Sequence, residues 1–463
     1  MDFSGWGVSV LAAGKGKRMK SSYPKVLIPL LGRPILNYVL DTIGECNFGE
    51  IEVVVSPSIR DLVGEIVGND SRLVLQSEAK GTADAVRVSL QEFPGAVQNI
   101  MVVYGDMPLL GSDTLSFLGD YFQRNSCHLA FLTACAPSPT GYGRVIKDEH
   151  GLPQAIREEK DCSPQEKQIK EINLGIFAFD RKKLSQLIEL VDNRNQQGEY
   201  YLTDLVALAR EKGYRVEAFE VDWSEEFLNV NHPQDLATVI QTLREKKVNS
   251  LWEKGAKIVD PSNLYLDWEV EIGEDVWFKP GVVVEGPSSI GNGSIIGPFA
   301  RIASTVIGEN CRIELSVLEE ATLEAGVTVG PFAHLRPGSY LESGVRIGNF
   351  VEVKNSTLKE GTKALHLSYL GDAQVGQRVN IGAGTITCNF DGEKKNPTII
   401  QDGAFIGSNS SLVAPVVIGQ GAYTAAGSAI TKDVPPDALA IGRARQKNVE
   451  KWTKRRGKRS SKG

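Results

Sequence analysis

Leu323–Val353 reads LEAGVTVGPFAHLRPGSYLESGVRIGNFVEV, and within it Leu323, Val329, Leu335, Leu341, Ile347 and Val353 stand six residues apart. The same step links Ile290, Ile296 and Ile302, and again Ile400, Ile406, Leu412, Ile418, Thr424 and Ile430, often with glycine directly following. Such a repeat describes a parallel β-helix: each six residues form one side of a coil, and the apolar residue points to the axis. The repeat breaks at residues 303–322, 354–374 and 388–399, which are expected to leave the coil as loops and to be natural places for chemistry.

Upstream the pattern changes. Residues 1 to about 230 alternate strand-like runs (WGVSVLAA, EIEVVV, RLVLQ, NIMVVYGD, HLAFLTA) with helical stretches such as RPILNYVLDTIGEC. That alternation predicts a mostly parallel sheet flanked by helices, with ligands collected beyond the carboxyl ends of the strands, where Gly14 and Asp106 fall. Pro233 opens a helix whose Leu236, Val239, Ile240 and Leu243 keep helical spacing. The expected organisation is therefore an α/β unit over 1–232, a linking helix over 233–251, a β-helix over 252–442 and a basic tail over 443–463.

Composition narrows the setting. A chain of 463 residues with a formal charge of −6 holds ample core and predicts no nucleic-acid partner for its body. From Arg443 onward only Glu450 opposes ten basic residues, a pattern usual for a solvated end. The six cysteines form no CxxC pair, and no run nears the ~18 apolar residues of a membrane span, so a cytoplasmic protein without membrane insertion is expected.

The loop LAAGKGKRMKSSYPKVL, Leu11–Leu27, lacks the GxxxxGK[ST] of a P-loop, and Met19 stands where a dinucleotide fingerprint needs its third glycine. What remains is a glycine-rich turn whose N–H groups can approach phosphate closely, with Lys15 and Arg18 adding charge. A purely structural turn stays open on these residues alone.

LAAGKGKRM followed by PKVL resembles the signature of sugar-phosphate nucleotidyltransferases. QSEAKGTADAV, YGDMPLL, GYGRV, REEKD, EINLGIF and LNVNHPQDL narrow the likeness, and with the β-helix the chain resembles the bifunctional family of N-acetylglucosamine-1-phosphate uridylyltransferases that are also glucosamine-1-phosphate N-acetyltransferases. The resemblance implies a Rossmann-like nucleotidyltransferase domain and a left-handed parallel β-helix of hexapeptide repeats, assembled as a homotrimer with acetyltransferase sites between chains. It implies Arg18 and Lys25 at the UTP phosphates, Leu11, Ala12, Ala13 and Gly14 in the nucleotide loop, and Gln76, Gly81 and Thr82 at the pyrimidine. It implies Tyr104, Gly105 and Asp106 at the bound UTP or UDP-N-acetylglucosamine, Asp106 and Asn231 as Mg²⁺ ligands, and Gly143, Glu158 and Asn173 as the sugar contacts. Hard oxygen donors suit Mg²⁺, and an attacking phosphate oxygen needs no general base. Lys17 departs from the family's usual small hydroxyl residue.

Acetyl transfer from acetyl-CoA to glucosamine 1-phosphate needs a neutral amine, for which imidazole is the ordinary base. Of five histidines, His366 in KALHLSYLGD lies in a break of the repeat and matches the family's catalytic segment, whereas His334 lies inside regular repeat. The resemblance implies Arg336 and Lys354 at the sugar phosphate and Tyr369 and Asn380 at the sugar, with Glu352 expected to orient His366. It places acetyl-CoA against Ala383, Asn389, Phe390, Ser408, Ala426 and Arg443; Phe390 replaces a tyrosine of some relatives, and its ring is expected to stay packed. A rival reading keeps the nucleotidyltransferase and makes the coil a non-catalytic oligomerisation module.

Overall fold

Two hydrophobic periodicities build two units, Met1–Lys246 and Lys247–Gly463, in a computed structural model that describes residues 3–14, 16, 19, 23–68 and 71–457. Arg18, Lys15, Lys17 and the last basic residues lie outside the described residues.

The first unit is an α/β sheet. Its strands are β1 (Trp6–Leu11), β2 (Glu50–Val55), β3 (Arg72–Leu75), β4 (Asn99–Tyr104), β5 (Leu129–Cys135), β6 (Arg144–Lys147), β7 (Pro153–Arg157), β8 (Glu171–Asp180) and β9 (Val216–Val221). They order as β9–β5–β8–β4–β1–β2–β3, with β6 and β7 paired off the edge of β8. All main pairings are parallel except those of β8, which runs antiparallel to β4 and β5. Helices α1 (Ile35–Glu45), α2 (Thr82–Glu92) and α3 (Ser112–Arg124) connect the parallel strands. The chain steps from β1 outward to β2 and β3, then returns to β4 on β1's other side. That reversal opens a crevice at the carboxyl ends of β1 and β4.

One buried charge interrupts the apolar centre of this sheet. Glu52 on β2 is fully buried and sits in register with buried Ser9 of β1. Its Oε2 accepts from Ser89 Oγ at 2.7 Å, Arg72 lies 3.8 Å from Oε1, and neither Oε1 nor Ser9 Oγ has a hydrogen-bond partner among the described residues. Burial pushes the Glu52 carboxyl up to about 7, more than Ser89 and Arg72 pull it down.

Helix α4 (Pro233–Glu253) crosses the division after Lys246, so its first half belongs to one unit and its last turns to the other. Lys247 donates to the carbonyls of Trp268 and Val270 at 2.7 and 2.8 Å, closing the first coil of the second unit.

That unit is a three-sided parallel coil. One 19-stranded sheet supplies two sides and a nine-stranded sheet the third, all paired in parallel. The six-step residues are buried along the axis, as the repeat predicts. Two expected loops do not exist. Residues 303–322 and 354–374 continue the coil as strands, with Ile307, Ile313, Leu318, Leu323, Leu358, Ala364, Leu370 and Val375 all buried. The sides there mix five and six residues, which hides the repeat. Both lengths close because each corner needs a left-handed residue and not specifically a glycine: Ser304, Leu315, Glu320, Asn355 and Asp372 serve with φ between 44° and 50°. Only 388–399 leaves the coil, as a loop closed by the antiparallel bridge of Phe390 with Lys395.

Glu52 predicts a pH-dependent first unit. Because its folded pKa is raised from 4.5 to about 7, the folded state binds more protons than the unfolded one between those values, and stability falls as pH rises through that window. The penalty above pH 7 is on the order of 3 kcal/mol. Glu52→Gln should therefore unfold at higher urea than the parent at pH 8 and lose the slope between pH 5 and 7; equal curves for both proteins at both pH values would contradict this.

Candidate functional site

Two clusters gather the candidate residues, one in each unit. In the first, Leu11, Ala12, Ala13 and Gly14 leave the end of β1, and Gly105 N donates to the Leu11 carbonyl at 3.0 Å, binding this loop to the end of β4. Lys25 occupies a short 3-10 turn (Lys25–Leu27). A Cβ on Gly16 would come within 3.0 Å of the Lys25 Cβ, so the glycine loop lies directly on this lysine. The Lys25 ammonium contacts Asp106 Oδ2 and donates to Asn231 Oδ1 at 3.3 Å. Asn229 donates to Asp106 Oδ1 at 3.1 Å, and the Val230 N–H to the Asp106 carbonyl at 3.0 Å. Asn229 was not foreseen; its signal is the alternation in LNVN, which points both asparagines the same way.

Tyr104 joins this cation site to the rest. Its hydroxyl meets Thr82, and burial, then Glu158, then Asp106 push its phenol above the ordinary range. Thr203 donates to Glu158 at 3.0 Å, and Asn173, buried on β8, donates its N–H to the Gly143 carbonyl at 2.9 Å. Gln76, at the end of β3, donates to the Gly81 carbonyl at 3.0 Å. The loop Gly141–Gly143 is held from beneath by an ion pair that sequence reasoning missed: fully buried Arg144 contacts Glu159 at 2.7 Å and donates to the Tyr142 carbonyl. Lys25, Asp106, Asn229 and Asn231 thus meet at the carboxyl ends of β1 and β4, where the strand order reverses.

The second cluster follows from coil register. Ala364 pairs with Ile381 and Tyr369 with Ile386, so the corner between them stacks His366 on Ala383. Ile381 pairs with Ile406 and Ile386 with Ser411, then Ile406 with Thr424 and Ser411 with Ala429; Ser408 and Ala426 continue the column. Arg443 ends it, donating to the Ala426 carbonyl at 2.7 Å. Small side chains therefore form a track from His366 to a guanidinium, four coils of about 4.8 Å each.

Contrary to expectation, His366 lies within the continuous strand Lys363–Gly371, and its orienting partner is not Glu352. Glu352 accepts from Arg336 at 2.8 Å, because register sets it beside His334 and Tyr369. His366 Nδ1 instead meets Asn349 Oδ1 at 3.0 Å, one coil earlier. With an oxygen as that partner, Nδ1 carries the proton and Nε2 the free lone pair. His334 is engaged with Glu319 at 3.0 Å.

Five residues along the same strand pair from the histidine, Lys354, in register with Gly371, faces Lys395 and Arg336. These two cations, Lys395 foremost, push its ammonium below the ordinary lysine value. Three converging cations make an anion site, and Lys395 comes from the one true loop. Asn389 is buried and donates to Asp372 at 2.5 Å and to the Tyr369 hydroxyl at 3.4 Å. A Cβ on Gly371 would strike both Tyr369 and Asn389, so only glycine admits this packing. Asn380 stands on the strand before the corner, in register with Lys363 and Phe405. One expectation fails within the chain: Phe390 is 61% exposed rather than packed.

Comparison with known proteins places both units in known families. Residues 8–150 match the MobA-like NTP transferase domain, 269–304 the bacterial transferase hexapeptide (six repeats), and 397–432 the hexapeptide repeat of succinyl-transferase. The bifunctional protein GlmU of Geobacillus sp. (strain WCH70) is 44% identical over 449 residues, covering 96% of this chain and 97% of its own. The chain belongs to the GlmU family. The GlmU proteins of Thermosipho africanus and Clostridioides difficile are 44% and 41% identical, over 96% and 97% of this chain and 97% and 98% of theirs. It is accordingly a bifunctional transferase, a uridylyltransferase joined to an acetyltransferase, and the reading of the coil as an inert module is set aside. No helix among the described residues is long and apolar enough to cross a membrane.

Asn349 is expected to act through His366 in this chain. Asn349→Ala should lower kcat for acetyl transfer about 10–100-fold with KM for the amino sugar little changed, in a spectrophotometric thiol-release assay; an unchanged kcat would remove Asn349 from the site.

Proposed function

We propose that the coil transfers the acetyl group of acetyl-CoA to glucosamine 1-phosphate, and that the N-terminal unit then joins N-acetylglucosamine 1-phosphate to uridylate from UTP, releasing pyrophosphate. The observation that carries this reading is that one pair of neighbouring strands, Arg346–Lys354 and Lys363–Gly371, bears both an Asn349-held imidazole and, five residues further along, Lys354 of the Arg336, Lys354 and Lys395 anion site. A scaffold has no use for a held imidazole together with three converging cations.

In the acetyl transfer, Arg336, Lys354 and Lys395 grip the sugar phosphate, and Tyr369 reaches the sugar. His366 Nε2 takes the proton of the attacking amine. The pantetheine lies along Ala383, Ser408 and Ala426 with Arg443 at its phosphates, and Asn389 stands beside the reacting carbonyl. His366, Leu367, Phe350 and Phe332 are all exposed along this corner. That exposure supports a homotrimer in which a neighbouring chain covers the corner and supplies Asn380 and Phe390 from its own faces.

In the uridylyl transfer, Gln76, Gly81 and Thr82 hold the base, and Tyr104, Gly143, Glu158 and Asn173 the sugar. Lys25, with Arg18, neutralises the triphosphate as charge moves to the leaving pyrophosphate. Asp106 and Asn231 fit Mg²⁺: a carboxylate and an amide oxygen converge on one cation, at present the Lys25 ammonium, and both are hard donors. When bound there, Mg²⁺ supplies further charge neutralisation to the phosphates. The attacking phosphate oxygen is already ionised, so no residue serves as base. The setting proposed is the cytoplasm, with the catalytic units at 1–232 and 252–442, the helix 233–251 between them and a solvated tail from 443.

Incubated with glucosamine 1-phosphate, acetyl-CoA, UTP and Mg²⁺, the protein should yield UDP-N-acetylglucosamine. His366→Ala should cut thiol release at least ~100-fold and leave pyrophosphate release from N-acetylglucosamine 1-phosphate and UTP intact, whereas Lys25→Ala should do the reverse. Parent-level thiol release by His366→Ala would overturn the assignment.

A further inference from the structure

The amide of Gln76 is held by two acceptors and no donor. Nε2 gives one proton to the Gly81 carbonyl at 3.0 Å and the other to Asp84 Oδ2 at 2.8 Å. Neither a carbonyl nor a carboxylate can donate, so only one of the amide's two orientations satisfies both. The opposite face of the amide is its oxygen, and Oε1 makes no hydrogen bond among the described residues.

The anchor is itself anchored. Asp84 is buried in the first turn of α2, where the helix dipole favours its charge, and pairs with Arg87 one turn later. The Arg87 guanidinium lies 5.4 Å from the centroid of the Tyr200 ring. Gly81 is fixed from the same side: its φ is +121°, and a Cβ there would fall 2.4 Å from the Tyr200 carbonyl oxygen. The Gly81 N–H donates to no described residue. Gln76 and Gly81 therefore present a fixed pair, one acceptor beside one donor.

A uracil edge is complementary to that pair, with an N3–H donor next to a carbonyl acceptor. A cytosine edge carries the reverse, an acceptor at N3 next to the N4 amine. We propose that Asp84 is a positioning residue for base choice, keeping the Gln76 oxygen forward so that the site accepts a uracil nucleotide and rejects a cytosine one. The inference rests on the reading of Gln76 as the base contact. In Asp84→Asn the new side chain can turn a donor toward Gln76, so an inverted amide keeps that bond and forfeits only the one to the Gly81 carbonyl, and its NH₂ then meets the cytosine N3.

The test is the ratio of kcat/KM for UTP over CTP, with N-acetylglucosamine 1-phosphate as co-substrate and the full chain as enzyme. A ratio is independent of how much protein is folded, so a merely structural role would not move it. The parent is expected to favour UTP by ~10³-fold or more, and Asp84→Asn to lower that ratio at least ~tenfold, with CTP gaining. Asp84→Ser, too short to reach the amide, should relax it as well and serves if the asparagine variant does not fold. If both variants keep the parent ratio while Gln76→Ala loses activity with UTP, the base contact stands and the role of Asp84 falls. If Gln76→Ala leaves kcat/KM for UTP unchanged, the base contact falls and the inference with it.

Discussion

Hydrogen bonding between successive coils is the constraint on which the acetyltransferase half depends. Parallel pairing fixes each residue over its counterpart one coil away, so a side chain's neighbours are set by register rather than by sequence distance. Asn349, His366, Ala383, Ser408 and Ala426 are far apart in the chain and consecutive along one corner. The rigid coil thereby aims the imidazole without a dedicated loop, and the loop that does emerge adds a lysine to an anion site already present on the wall.

In the uridylyltransferase half the corresponding constraint is the reversal of strand order at β1 and β4. It delivers Gly14 and Asp106 to the same crevice, and helix α4 begins there with Asn231 and His232 N–H groups capped by Asp235 at 2.9 and 2.7 Å. Tyr104 is the hub: it touches Thr82 of the base segment and is close enough to Glu158 and Asp106 to feel both charges. Binding base, sugar and phosphate around one ring links their positions.

Much of this was legible in the residues. The apolar runs gave β1 to β5 of the first sheet nearly to their ends but not β6 to β9, the antiparallel β8 among them, and the six-step repeat gave the coil. Five-residue sides were not legible, because turning a corner with Ser304, Asn355 or Asp372 leaves no glycine to mark it. A carboxylate is the usual orienter of a catalytic imidazole, which points to Glu352, whereas register hands that residue to Arg336 and gives the histidine Asn349. Counting one coil back from His366 would have found that asparagine. Lys395 and the Arg144–Glu159 pair had no such signal: one depends on how a loop folds back, the other on a charge buried beneath the residues it supports.

The central claim, that coil register alone builds a ligand track ending at His366, is tested most directly by a crystal structure of the protein with coenzyme A. The account predicts the thiol end beside His366 Nε2, the pantetheine along Ala383, Ser408 and Ala426, and the phosphates at Arg443. A coenzyme lying across a flat face of the coil, with its thiol remote from that corner, would contradict it.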